Sequence, residues 1–428
     1  MRRKIVNKIL IDTPPPTISG QLHIGHIFSY THIDIVNRIS KYLGYSINFP
    51  IGFDCNGIPT EKLLNKKPDK TIDNYIDDYI SLFKRMGFQM NFDEHYRTDK
   101  IAGVQDIYQI LLDKGLIYEA QKEVYFDTYY NTPISKSEVI EENGELIGEV
   151  SKKLVIKKQT TQLFLKTVEY KEKLLRLSDK IEFHPSDMKI KLIKWIEDLN
   201  EDWCISRDRN FGVKIPDTSK VFDTWFISAL THRLYGKQSD FRFQSHEIIR
   251  SWAFYSLVLS MHLENDIPFK KIFISGWCIG KDGQKFSKSK GNFIDPNKLI
   301  NQYGVNPIRF WCAKAQWGSD TMFDESVIKN GKRLVIKIEN AEKFFKMNIT
   351  GEFVENKSIE TSPIKEKTKA LLADYNIKGL TELLYNEFFS FCDTKIEECK
   401  KINTQECYCK DYAEFKEYKK LFEIIFNL

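Results

Sequence analysis

Near the N-terminus the apolar run Ile9 to Ile11 is cut off at Thr13 by three consecutive prolines. A short run closed this way reads as a strand entering a loop, since proline cannot donate to a sheet ladder and holds φ near −65°. A helical pattern follows from His26 through Ile39, and Ser46 to Pro50 returns as a strand. Strand, loop, helix, strand is half of a doubly wound sheet. A second half begins near Val221, where VFDTWFISAL precedes a helix expected around Glu247 to Met261 and a strand over Lys271 to Ser275. One sheet divided into two halves implies an insertion between them. The intervening stretch carries polar strand-like runs, EVYFDTYY and KLVIKKQTTQLFLKTV, and then the amphipathic helix pattern SDMKIKLIKWIEDL.

After Asp324 the periodicity becomes helical throughout. Val327, Ile328, Leu334, Ile338, Ala341 and Phe345 mark one helix face, and two later runs, LLADYNIKGLTELLYNEFFSFCDTKIEECKK and DYAEFKEYKKLFEIIFNL, read as a small bundle. GEFVENKSIETSP reads as a linker. The expected fold class is α/β, with a doubly wound, Rossmann-type parallel sheet split by a small connective insertion and followed by a short C-terminal α-helical bundle. The expected boundaries are 1–124, 125–200, 201–323 and 324–428.

A chain of 428 residues with 42% hydrophobic side chains builds real cores for several domains. Its longest apolar stretches, such as IIRSWAFYSLVLSM, fall short of the ~18–20 residues that span a bilayer, so no membrane partner is expected. The N-terminal apolar run stops at Ile11 with no small-residue cleavage site after it, which points to a cytoplasmic protein. Eight cysteines are scattered without CxxC pairs. Cys407 and Cys409 are the only close pair and lack a second ligand pair, so no structural zinc is expected. A net charge of +5 is too small to establish nucleic-acid binding.

Two short segments carry the chemistry. In His23-Ile24-Gly25-His26 the histidines sit three apart at a helix start, so both imidazoles can face one side, and the helix terminus offers unpaired N–H groups and positive potential. Gly25 lacks a Cβ and lets a base or ribose lie against the backbone. In Lys285-Phe286-Ser287-Lys288-Ser289 two lysines flank Ser287 in a loop bounded by Gly283 and Gly291, suited to a lid over phosphates. Alone, that second segment reads equally as a solvated Lys-Ser loop.

In this order the two segments resemble the signatures of class I aminoacyl-tRNA synthetases. The resemblance implies a nucleotide-binding sheet using ATP with Mg²⁺, the ion riding on the phosphates rather than in a protein cage. It implies that His23, His26, Lys285 and Lys288 act on the triphosphate, Lys288 chiefly in the transition state, with Gly25, Ser275, Gly276, Ser287 and Ser289 contacting ATP. Phe286 stands where the family usually has methionine.

PPPTISGQLHIGHIFSYTHIDI, PIGFDCNGIPTE, WCISRDRNFGVKIP, HEIIRSWAFYSL and ISGWCIGKDGQKFSKSKGN look most like the valyl-tRNA synthetases, over roughly 8–130 and 182–400. That likeness implies Asp54 as ligand of the substrate α-ammonium, the other reading being a turn aspartate capping Asn56 or Gly57. It implies a valine-like pocket walled by Trp252 and Trp277 with Pro14 and Pro15 opposite and Ile274 close by. Asp223, Glu247 and Arg207 are expected in structural or tRNA-facing roles. The implied partners are a valine-like amino acid, ATP and a tRNA acceptor end, and a monomer is expected. The lysines of KKLVIKK could touch an acceptor stem, although a solvated sheet edge is the preferred reading.

Between SKSEV and FHPSDM there are only about 45 residues, whereas an independent domain needs ~50–250. An editing domain is therefore expected to be absent. The expected protein is a minimal, non-editing ligase. Transfer to an acceptor other than tRNA and a non-catalytic binding role are the alternatives.

Overall fold

The computed structural model describes residues 8–286, 293–350 and 362–428. Its centre is a five-stranded parallel sheet built from β1 (Lys8–Asp12), β2 (Ser46–Asn48), β3 (Glu182–His184), β4 (Ser239–Ser245) and β5 (Phe269–Ser275), in the order β3-β5-β4-β1-β2. From β1 the chain crosses over through α1 (Ile24–Tyr42) to β2 on one side. From β4 it crosses through α2 (Phe254–Glu264) to β5 on the other. The two crossovers diverge between β1 and β4, and a crevice opens at the carboxyl ends of those strands.

The central strand β4 is absent from the elements expected on sequence grounds. Its segment SDFRFQS alternates the charges of Asp240 and Arg242 with Phe241 and Phe243 and so looks exposed. In the fold Arg242 is fully buried, paired with Asp12 on β1 and stacked 3.7 Å over the Trp252 ring. A charge buried this way is tolerated because its partner and its hydrogen bonds to the Asp12 carboxylate and Ser256 hydroxyl come with it. The edge strand β3 is a second addition, because it lies within the stretch 125–200 assigned to the insertion yet pairs with β5 in the main sheet. The helix expected around Glu247 to Met261 begins with a 3-10 turn at His246–Ile248 and a wide turn at Ile249–Ala253 before α2 proper.

The connective region is a four-stranded antiparallel sheet. Its long strands Ile117–Asp127 and Val155–Leu165 pair along their whole length, and Trp203–Cys204 joins the far side. Lys157 pairs with Glu123 at 3.3 Å and Lys158 lies 4.0 Å over the Phe126 ring, contacts suited to a solvated sheet face.

Beyond the sheet lie α3 (Val305–Ala313), α4 (Glu325–Asn348), α5 (Pro363–Ala373), α6 (Ile377–Phe391), α7 (Glu397–Ile402) and α8 (Gln405–Ile425). The buried face of α4 is Ile328, Gly331, Leu334, Ile338, Ala341 and Phe345, the expected period plus a glycine. The next run breaks into α5 and α6 because Tyr375 takes a left-handed turn (φ 52°) and Asn376 caps α6, accepting from the Gly379 N–H at 2.9 Å. Of these helices α3 to α6 and α8 share one apolar core with β1 and α1. Asp34 on α1, itself fully buried, clamps them: it accepts from Arg38 at 2.8 Å and Arg309 at 2.7 Å, whose guanidiniums in turn donate to the Phe426 and Ile425 carbonyls of the C-terminal segment. Among the described residues no helix is long and apolar enough to cross a membrane.

Candidate active site

A cleft with a cavity volume of about 290 Å³ opens at the crevice between β1 and β4. The loop after β1 contributes Pro14 to Thr17, α1 contributes His23, Gly25 and His26, the segment after β4 contributes Glu247, Ile248 and Trp252, and the end of β5 contributes Ser275, Gly276 and Trp277. Asp54 and Lys285 close it. Residues more than 200 positions apart thus line one space.

The histidines do more than face the cleft. His23 is the N-cap of α1, its Nδ1 accepting the Gly25 N–H at 3.1 Å, while His26 Nδ1 accepts the His23 N–H at 3.2 Å. This reciprocal capping box brings the rings to 4.1 Å. Ile24 N–H is taken by the Ile294 carbonyl at 3.3 Å. The first-turn amides are therefore engaged by the protein itself, which corrects the expectation of unpaired N–H groups. Because each Nδ1 accepts, the proton of each neutral ring sits on Nε2. A Cβ on Gly25 would come within 2.8 Å of the His23 ring, so the glycine protects the cap.

Asp54 follows the strand Pro50–Phe53, borders the cleft and holds the turn at Asn56. Its Oδ1 accepts from Asn56 N–H at 3.3 Å and the Thr98 hydroxyl at 3.1 Å, and Oδ2 accepts from the Thr17 hydroxyl at 3.2 Å. Burial pushes its carboxyl up to about 6 against these hydrogen bonds, which pull it down. A carboxylate desolvated this far, with no cation bonded to it among the described residues, suits a ligand that brings an ammonium.

Lys285 leaves a tight turn in which Gly283 has φ 72°, and its Nζ sits 2.7 and 2.5 Å from the two Glu247 oxygens and 5.2 Å over the Trp277 ring. Glu247 thus lines the cleft. Asp223 and Arg207 are buried and pair with each other at 3.1 Å, with Asp223 also accepting from the Trp203 indole at 2.9 Å, so both brace the fold. Phe286 is buried edge-on against Phe323. Ser287, Lys288, Ser289 and Gly291 lie outside the described residues.

Trp252 is almost fully buried on the cleft wall, its indole donating to the Ser228 carbonyl at 2.8 Å. Trp277 borders the cleft from the Lys285 side, with its ring 4.7 Å from His246. Ile274 does not reach the cleft. It is fully buried in the second core, because alternation along β5 sends it to the face opposite Phe273. Gly276 lines the cleft, but a Cβ there would collide with the Ser319 carbonyl and Asp320 amide, so close backbone approach demands the glycine. Trp225, Ser228 and Gln244 also line the cleft and escaped the sequence reading. Gln244 lies on the unrecognised strand β4, and Trp225 in VFDTWFISAL was read only as part of an element.

The fold and cleft together define a class: a doubly wound α/β protein with a ligand crevice at its switch point, imidazoles on one wall and a lysine on the other. The sequence profile described as tRNA synthetases class I (I, L, M and V) matches residues 2–218 and 217–324, well over half of the chain. The chain belongs to that family and is an aminoacyl-tRNA ligase. It is similar to the valine–tRNA ligase of Ehrlichia canis (strain Jake), 29% identical over 555 aligned residues that cover 80% of this chain and 69% of that one. The valine–tRNA ligase of Rickettsia prowazekii (strain Madrid E) is 27% identical, covering 88% of this chain and 73% of that one. In fold it is similar to the Mycobacterium tuberculosis methionyl-tRNA synthetase in complex with methionyl-adenylate (TM-score 0.81, 16% identity, 98% of this chain and 92% of that one). It is equally similar to the Agrobacterium radiobacter K84 agnB2 LeuRS from its ternary complex with tRNA and LeuAMS (TM-score 0.83, 15% identity, 99% and 85%).

Proposed function

We propose that the protein activates valine, or a close aliphatic analogue, with ATP and transfers it to tRNA without editing. The observation that carries this reading is the convergence of His23, His26, Asp54, Trp252 and Lys285 on one cleft. In the first step a carboxylate oxygen of the amino acid attacks the α-phosphorus of ATP, the bond to the β-phosphate oxygen breaks, and pyrophosphate leaves. Asp54 holds the ammonium, and Trp252 and the Pro14–Pro15 backbone wall the side chain. His23 and His26 donate through Nε2 to phosphate oxygens, and Lys285, released from Glu247, neutralises charge that builds on them. Lys288 is assigned the same task. Mg²⁺ carried on the phosphates supplies further neutralisation.

The absence of editing is supported by two features. The stretch between the long connective strands holds only the short hairpin Val139–Gly148 and its flanks. In the Ehrlichia alignment, 80% of 428 residues is about 340, so roughly 210 of the 555 aligned positions face no residue here.

Amino-acid-dependent ATP–pyrophosphate exchange across the twenty amino acids, with Lys288→Ala as control, tests activation. Exchange confined to valine or a near analogue and lost in the control supports the proposal; exchange with an unrelated amino acid refutes the substrate, and none at all refutes activation. Rapid hydrolysis of Thr-tRNA by the same protein would overturn the non-editing part.

A further inference from the structure

Cys407 and Cys409 are neighbours in sequence, but the fold brings together a different pair. Asn403, at φ 52°, turns the chain back between α7 and α8 and sets Cys399 against α8. Cys399 Sγ lies 2.7 Å from Cys407 Sγ, and its thiol donates to Asp411 Oδ2 at 3.1 Å. Cys407 and Asp411 are one helical turn apart on α8. The three ligand atoms lie within 4.8 Å of one another. Cys399 is fully buried and Asp411 is 4% exposed, while Cys407 is partly open and leaves an entry path.

Asp411 is the informative member. Its one hydrogen bond among the described residues comes from a thiol, a weak donor. Lys395 is near enough to feel its charge but pairs with Glu398. A buried carboxylate without a cation is costly, so the cluster is a poor resting place for Asp411 on its own. A disulfide would not relieve this, because it would consume both thiols and strip Asp411 of its donor.

We propose that Cys399, Cys407 and Asp411 bind one zinc ion, with a fourth position open to water. Two thiolates and a carboxylate are a borderline-soft donor set that suits zinc. On binding, two S–H bonds break, two metal–sulfur bonds form and two protons pass to solvent, with no change of oxidation state. Zinc–sulfur bonds of about 2.3 Å at a tetrahedral angle hold the sulfurs roughly 3.8 Å apart, so loading separates them by roughly 1 Å, a side-chain adjustment. The ion staples α7 to the start of α8, whose other end Arg38 and Arg309 hold against the catalytic half.

The test uses the full chain, reduced and freed of metal by a chelator, then titrated with Zn²⁺. We expect one ion retained per chain, about two protons released, and a Tm rise of about 3–5 °C at a hundredfold excess over Kd. Cys399→Ser and Cys407→Ser abolish retention, Asp411→Asn weakens it at least tenfold, and Cys409→Ser leaves it unchanged. Co²⁺ on the unmodified chain gives thiolate-to-metal absorption bands, a readout that needs no variant. Absence of those bands, or zinc retention unaltered in a folded Cys399→Ser protein, overturns the proposal. So does a Cys399–Cys407 disulfide in chain isolated without reductant, combined with no metal uptake after reduction.

Discussion

Replacing Asp54 with asparagine should make the protein more stable and less active at the same time. Burial holds the Asp54 carboxyl at about 6, against an ordinary value of 3.8. A folded pKa above the unfolded one means that the folded state binds the proton more tightly, so stability is lost as pH rises from about 4 through about 6. Above that window the ionised side chain costs up to roughly 3 kcal/mol. Asparagine is neutral and avoids that cost, but it has one acceptor where Asp54 serves Thr17, Thr98 and Asn56, so about 1 kcal/mol is lost in return. The net gain of about 2 kcal/mol raises Tm by about 2–4 °C at pH 7.5 for a chain of this size, and the gain vanishes near pH 4. The charge-assisted bond to the substrate ammonium is worth about 1.5–3 kcal/mol, so kcat/KM for the amino acid in pyrophosphate exchange falls about 10- to 100-fold. In the unmodified enzyme the same parameter should climb about tenfold per pH unit below 6 and level off above it, while Asp54→Asn shows no such inflection. An unchanged amino-acid KM in the variant, together with no inflection near 6 in the parent, would refute the assignment of Asp54 as the ammonium ligand.

Gly25→Ala places a methyl 2.8–2.9 Å from the His23 ring, so the ring must leave the Gly25 amide. The helix loses a cap worth about 1 kcal/mol, and the KM for ATP should rise in pyrophosphate exchange with little change in the KM for the amino acid. Lys285→Met should lower exchange by about 10²–10³ while Tm stays nearly constant, because its pair with Glu247 is solvent-exposed and such pairs are worth under about 1 kcal/mol. Asp34→Ala strands the buried guanidiniums of Arg38 and Arg309 and should cost about 3–5 kcal/mol in urea unfolding, with a lower midpoint.

Local periodicity and local chemistry were enough to place β1, α1, β5 and the long helix α4, because each shows its buried face in its own sequence. The two motif segments were legible for the same reason: their residue types and spacing state the chemistry within a few positions. What local sequence could not reveal was anything whose meaning lies in a distant partner. Arg242 looks like a surface charge until Asp12, 230 positions away, pairs with it in the centre of the sheet. Glu182–His184 looks like part of the insertion until β5 takes it as an edge strand. Ile274 was expected beside the substrate, and only the side-chain alternation of β5 in its sheet turned it into the core. The helix start at His23 was expected to offer unpaired amides, yet the two histidine rings and the Ile294 carbonyl occupy them. Cys399 gained its partners in the same way, from a left-handed turn that no spacing rule anticipates. Sequence thus determined which elements form and which chemical groups they carry, whereas tertiary structure decided which of those groups meet, because pairing energies depend on distance in space and not along the chain.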